Sequence, residues 1–181
     1  LNQALAIREE IGDLAGKSRT LNDIGLVYRY QQQFDQALYY HHQALAIREA
    51  LDDRRRMGHT LQHIGDVYRM QADYVKAFDY YQRALAASQS VNNPRGIGEA
   101  LTGSGRVYIE QQRYAEAIEV LEQSLEIWQQ IDLPDMQERT AELLVRSLNE
   151  MKQVSSPADY QQQCQSTAQA TALFPVAFCS Q

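Results

Sequence analysis

A 40-residue internal repeat constrains this chain more than any other feature. Gly25, Gly65 and Gly105 stand 40 residues apart. Around them run the columns Leu21/Leu61/Leu101, Val27/Val67/Val107, Tyr28/Tyr68/Tyr108, Phe34/Tyr74/Tyr114, Ala37/Ala77/Ala117, Ala44/Ala84/Ser124 and Leu45/Leu85/Leu125. So many columns in one register require one structural unit used repeatedly. The same offset runs backwards, since Ala4, Leu5 and Ile7 match Ala44, Leu45 and Ile47. Residues 1–12 therefore read as the second half of a truncated repeat. As the first residue is not Met, the chain reads as a piece excised from a longer protein.

Within each unit the apolar spacing is helical. Leu21, Ile24, Gly25 and Tyr28 fall at i, i+3, i+4 and i+7, one stripe of an α-helix. Phe34, Ala37, Leu38, Ala44, Leu45 and Ile47 form a second stripe. Asp13, Asp53 and Asn93 can accept from the free N–H groups at a helix start, and Pro94 suits a first helical position. Asp132, before Leu133-Pro134, reads as the same start displaced by one residue. First helices are expected near 14–31, 54–71, 94–111 and 134–152, and second helices near 34–51, 74–91 and 114–131.

Mid-helix glycine costs about 1 kcal/mol relative to alanine, so three copies imply that a missing side chain is required. The expectation is that each glycine faces an alanine of the second helix and lets the two helices approach closely. Tyrosines and leucines would then fill the space between successive hairpins.

These columns resemble the tetratricopeptide repeat, which reads large residue, L/I-G-x-x-Y, aromatic, then small residues. Here the copies are Leu21…Ile24-Gly25…Tyr28…Phe34…Ala37…Ala44, Leu61…Ile64-Gly65…Tyr68…Tyr74…Ala77…Ala84, and Leu101…Ser104-Gly105…Tyr108…Tyr114…Ala117…Ser124. A period of 40 is similar to the long-repeat branch seen in kinesin light chains, G-protein-signalling modulators and large bacterial signalling proteins. HEAT and armadillo repeats share the period but not the Gly–Tyr–aromatic–Ala–Ala register. The resemblance implies an all-α, tetratricopeptide-like α-solenoid of antiparallel helix hairpins in a right-handed superhelix, with first helices lining a concave groove that binds a partner peptide or helix. Its repeats would occupy 1–12 (truncated), 13–52, 53–92 and 93–132, followed by a degenerate terminal helix over 133–153. The branch often carries Asn two residues before and one after the glycine. Here those positions hold Asp23/Leu26, His63/Asp66 and Gly103/Arg106, and no Lys/Asn carboxylate clamp is present, so no known ligand transfers with the groove.

The net charge of −6 opposes nucleic acid, whose binders carry a basic stripe. No apolar run reaches the roughly 18 residues of a membrane span, and the opening Leu1-Asn2-Gln3-Ala4 does not read as a signal peptide. With only two cysteines, Cys164 and Cys179, a disulfide scaffold for the repeats is excluded; whether these two pair is open. The setting expected is cytoplasmic.

Candidate chemistry is sparse. His59, His63 and Asp66 share a helix face but do not form HExxH, and a solvated surface is expected rather than a metal site. His41 and His42 point about 100° apart on a helix, one to a packing position and one to the surface. Gly96-Ile97-Gly98 and Gly103-Ser104-Gly105 lie inside a helix with no lysine following, so no phosphate loop is read. No catalytic grouping, metal or cofactor is expected. The partner-binding groove is assigned to Asn22, Asp23, Leu26, Arg29, Gln62, His63, Asp66, Arg69, Thr102 and Arg106. Arg29 and Arg69, with Arg106 one turn away, either read an acidic partner or pair with Asp23 or Asp66. The module is expected either to bind a protein passively or to act as the regulatory segment of a larger signalling protein.

From residue 134 the pattern decays. Leu143, Leu144, Val145 and Leu148 keep a stripe, but Val145 replaces the glycine. Ser156 reads as the N-cap and Pro157 as the first residue of a helix over 157–172, with Tyr160, Cys164 and Thr171 on a face. Residues 154–181 are expected to supply a capping helix and an uncharged tail, in which the apolar stretch 173–178 either covers the last hairpin, the preferred reading, or belongs to a neighbouring domain.

Overall fold

The computed structural model describes residues 1–176 and 179. They form nine α-helices and no strand: α1 (Asn2–Glu10), α2 (Leu14–Tyr30), α3 (Phe34–Ala50), α4 (Arg54–Met70), α5 (Tyr74–Ser90), α6 (Pro94–Glu110), α7 (Tyr114–Gln130), α8 (Pro134–Val154) and α9 (Pro157–Thr171). The expected elements are all present, with ends that differ by one or two residues. The fold is the tetratricopeptide-like α-solenoid that the resemblance implies.

The period of 40 is two steps of 20. Each of α2 to α7 is 17 residues long, and each connection holds one residue of left-handed conformation: Gln32, Asp52, Ala72, Asn92, Gln112 and Asp132, with φ between 48° and 61°. None is glycine, so each pays about 1–2 kcal/mol of steric cost. The turn offsets that cost by capping free carbonyls. Gln33 N–H donates to Tyr28 O, Asp53 to Arg48 O, Asp73 to Tyr68 O, Asn93 to Ser88 O, Arg113 to Tyr108 O and Leu133 to Trp128 O. This is the six-to-one bond of the Schellman motif. Asp132 is therefore a turn residue, equivalent to Asp52 and Asn92, and not the displaced cap that the sequence suggested. Leu133 precedes α8 with no side-chain cap. Three of the other expected caps are present: the carboxylates of Asp13 and Asp53 accept from the N–H groups of Gly16 and Arg56, and Ser156 Oγ accepts from Asp159 N–H. Asp73 caps α5 in the same way.

The chain divides into two compact units, Leu1–Gly96 and Ile97–Gln181. In the first, α2 pairs with α3 and α4 with α5, and α3 packs against α4. Leu21, Ile24, Ala37, Ala44, Leu61, Ile64, Val67, Ala77 and Ala84 are all buried. The tyrosine columns stack inside each hairpin: Tyr28 on Tyr40 at 5.3 Å between centroids and Tyr68 on Tyr80 at 5.4 Å. The expectation that they fill the space between hairpins is corrected accordingly.

The second unit is built on α7, with α8 and α9 both packed against it. Its core joins Ile118, Leu121, Leu125, Leu144, Leu148, Met151, Tyr160, Cys164 and Cys179, with Phe174 against it. Cys164 and Cys179 form a disulfide that ties the tail to α9. Phe174 packs against this core and Cys179 lies within it, whereas Leu173 and Val176 are exposed; Ala177 and Phe178 of the expected apolar tail lie outside the described residues.

Candidate partner-binding surface

Each recurrent glycine faces a bulky side chain. A Cβ on Gly25 would lie 2.7 Å from the His41 imidazole, on Gly65 2.9 Å from the Tyr81 ring, and on Gly105 2.7 Å from Leu121. The expected glycine–alanine contact is thus replaced by a glycine that makes room for the column His41/Tyr81/Leu121, all fully buried. A second column follows this rule only in part. Gly58 faces Ser88 and Gly98 faces Trp128, whose ring would sit 2.6 Å from an added Cβ.

This packing puts a polar layer inside the first unit. His41 Nδ1 lies 3.1 Å from Asn22 Oδ1, and Thr60 Oγ1 donates to the same oxygen at 3.5 Å. His41 also stacks on His63, with ring centroids 5.5 Å apart. Burial first, then the charges of His63 and Arg29, push His41 down to about 3, so it is neutral in the folded chain. Arg48 is buried too, donating to Ser18 Oγ, to the Arg56 carbonyl and to Thr60 Oγ1. Burial lowers it to about 10, and it remains charged at neutral pH.

Asp66 is the hub of a second network. Arg29 donates to its Oδ2 at 2.7 Å and Tyr81 Oη to its Oδ1 at 2.7 Å, which joins α2, α4 and α5. Burial, then the Asp66 carboxylate, raise Tyr81 well above an ordinary phenol. Of the two readings of the arginine stripe, Arg29 thus follows the internal pairing.

The ten residues expected in the groove consequently separate. Asn22 and Thr102 are buried; Thr102 Oγ1 donates to Gly98 O and shares a bond with Ser124 Oγ. They belong to helix packing and are withdrawn from the groove. Arg29, His63 and Asp66 are half-buried in the contacts above. Asp23, Leu26, Gln62, Arg69 and Arg106 are also half-buried. Sequence reasoning missed two exposed neighbours at the ends of the same first helices, Tyr30 at 78% and Met70 at 44% exposure. The 40-residue period marks the two as equivalents. His41 is sealed and His42 exposed, as their spacing predicts. Among the described residues, no group of three His, Cys, Asp or Glu side chains is arranged to hold a metal, and no helix is long and apolar enough to cross a membrane.

The tetratricopeptide repeat family matches residues 1–50, 17–90 and 56–130, together well over half of the chain. The chain belongs to the tetratricopeptide repeat family. No curated protein matches it. Among solved structures, this repeat chain is similar to a signal transduction ATPase with a tetratricopeptide repeat sensor from Pyrococcus horikoshii, with 20% identity and a TM-score of 0.73 over 94% of this chain and 26% of that one. It is also similar to aspartyl phosphate phosphatase F of Bacillus subtilis, with 16% identity and a TM-score of 0.71 over 87% of this chain and 41% of that one. A putative kinesin light chain from Podosopora anserina gives 14% identity and a TM-score of 0.67 over 94% of this chain and 83% of that one. At these identities the likeness is one of fold, and the chain spans about two fifths of the Bacillus protein.

Proposed function

We propose that this chain is a non-catalytic interaction module that holds a peptide or helix of a partner protein along the first helices of its first unit. The observation that carries the reading is the family match over residues 1–130. Partner contacts are assigned to Asp23, Leu26, Tyr30, Gln62, Arg69 and Met70 on α2 and α4, of which Tyr30 and Met70 are exposed and the other four half-buried. Arg106 is the equivalent in the second unit.

Arg29 is excluded as the primary reader of an acidic partner, because its guanidinium is engaged by Asp66. Replacing it would also disturb folding, so Tyr30 and Met70 make the cleaner test. A photo-crosslinking residue at Gln62 should capture a partner from native extract, and Tyr30→Ala with Met70→Ala should abolish the adduct without changing the melting temperature. Capture only from a position on the second helices, such as Val75, would refute the assignment. The second role, a sensor segment within a larger signalling protein, is supported by the likeness to the Pyrococcus sensor repeats.

The Cys164–Cys179 bond weighs against the cytoplasmic setting expected from sequence, because disulfides persist in oxidising compartments. Thiol trapping in the native cell decides it.

A further inference from the structure

α8 carries a seat for a helix, and no described residue of the chain fills it. The repeat register shows what belongs there. Glu138, Ala141, Glu142, Val145, Arg146 and Asn149 stand 80 residues after Gly58, Leu61, Gln62, Gly65, Asp66 and Arg69. On α4 that stripe receives α5: Gly58, Leu61 and Gly65 are buried, with Gly58 against Ser88 and Gly65 against Tyr81. On α8 the equivalents are uncovered, since Glu138, Glu142, Arg146 and Asn149 are exposed and Ala141 and Val145 only half-buried. α8 instead buries Thr140, Leu144, Ser147, Leu148 and Met151. The helix that follows, α9, takes a place against α7 and α8 without covering the stripe. What remains is a cleft of about 580 Å³, lined by Glu138, Ala141, Glu142, Val145, Arg146, Asn149 and Glu150 together with Leu173 of the tail.

We infer that this cleft docks a basic amphipathic α-helix from a partner protein. Its floor of Ala141, Val145 and Leu173 is apolar, and its rim sets three carboxylates, Glu138, Glu142 and Glu150, against one guanidinium, Arg146. That balance selects Lys or Arg on the visiting helix and repels an acidic one. The shape is set by the register, because the same columns seat a 17-residue helix in the first unit. One exchange follows from packing. The chain's own second helices place His41, Tyr81 or Leu121 over a glycine. Val145 fills that space on α8, so the visitor needs a small residue at its equivalent position. The inference rests on reading the chain as an interaction module, but it assigns a surface separate from the first-helix column of the first unit.

The probe is a fluorescein-labelled peptide with the α5 sequence Tyr74–Ser90 carrying Asp79→Lys and Tyr81→Ala, titrated against the whole chain by fluorescence anisotropy. Saturable binding is expected, weakened at least tenfold by Glu138→Lys with Glu142→Lys, two exposed positions whose exchange should leave the melting curve in place. It should weaken as salt rises and protect α8 amides at 138–149 from hydrogen exchange. The Tyr30→Ala, Met70→Ala variant should bind the probe as the wild type does. No binding, indifference to the charge reversal, or equal binding of a peptide with glutamates in place of its basic residues would overturn the proposal and leave the first-unit reading standing. Loss of probe binding in the Tyr30/Met70 variant alone would move the site to the first unit. A dimer by light scattering that breaks with Glu138→Lys would assign the seat to a second copy instead.

Discussion

Acid should loosen the first unit through His41, and the size of the effect follows from its surroundings. His41 is fully buried, with Nδ1 facing Asn22 Oδ1 at 3.1 Å, its ring over Gly25 and its other face stacked on His63. With Asn22 accepting, the proton sits on Nδ1 and Nε2 carries none; Nε2 has no hydrogen-bond partner. The charges felt by His41 are chiefly those of His63, Arg29 and Arg48, which all oppose a second proton, and burial opposes it most. Its folded pKa is therefore about 3 against 6.5 unfolded. Below pH 6.5 the unfolded chain takes a proton that the folded chain refuses. Stability is thus complete above about 6.5 and falls steadily as pH drops toward 3. At 1.36 kcal/mol per unit, the loss by pH 5 is about 2 kcal/mol from this group. The control is His41→Leu, since Leu121 already stands over Gly105 in the equivalent position. That variant forfeits the Asn22 contact at every pH, so the readout is the slope and not the baseline. His42, also lowered, adds to the slope of both proteins and cancels in the difference. Urea unfolding followed by circular dichroism from pH 7.5 to 5 should show the wild type losing about 2 kcal/mol more than His41→Leu. Parallel slopes would refute a sealed, neutral His41.

Gly65→Leu should destabilise by about 1–3 kcal/mol or more, because Tyr81 is buried over the glycine and held through its hydroxyl to Asp66; an unchanged melting temperature would refute the contact. Gly58→Ala and Gly98→Ala should differ although they share a column: the first meets a Ser88 hydroxyl that can rotate and recovers up to about 1 kcal/mol of helix propensity, whereas the second meets the buried Trp128 ring and should lower the melting temperature. Reducing the Cys164–Cys179 bond, which closes a separation of 15 residues, should cost the second unit about 3 kcal/mol in the chain-entropy account; hydrogen exchange in α9 should rise, and Cys164→Ser should abolish the response to reductant.

What could be read from the columns was whatever repeats. The helices of the repeats, the hairpin pairing and the need for glycine come from spacing, because each column recurs in the same mechanical setting. What a glycine faces could not be read that way. The opposing column holds His41, Tyr81 and Leu121, three residues with no chemistry in common. They share only volume and position, and sequence comparison looked for a small partner instead. Asp132 was misplaced for a related reason. An Asp before a helix suggests a cap, but the 20-residue step assigns the left-handed turn to position 132 whatever its side chain.

The candidate surface was less legible, because exposure depends on helices distant in sequence. Asn22 and Thr102 look like surface residues on a helical wheel; only the arrival of His41, Thr60 and Ser124 buries them. Arg29 looks free until Asp66, 37 residues on, reaches it. The same dependence makes α8 informative. Its stripe matches α4 position for position, yet it carries Glu138 and Val145 where α4 has Gly58 and Gly65. Val145 leaves no room for a side chain like the Tyr81 that lies over Gly65, and Glu138 adds a carboxylate, so the stripe suits an occupant with small residues and positive charge.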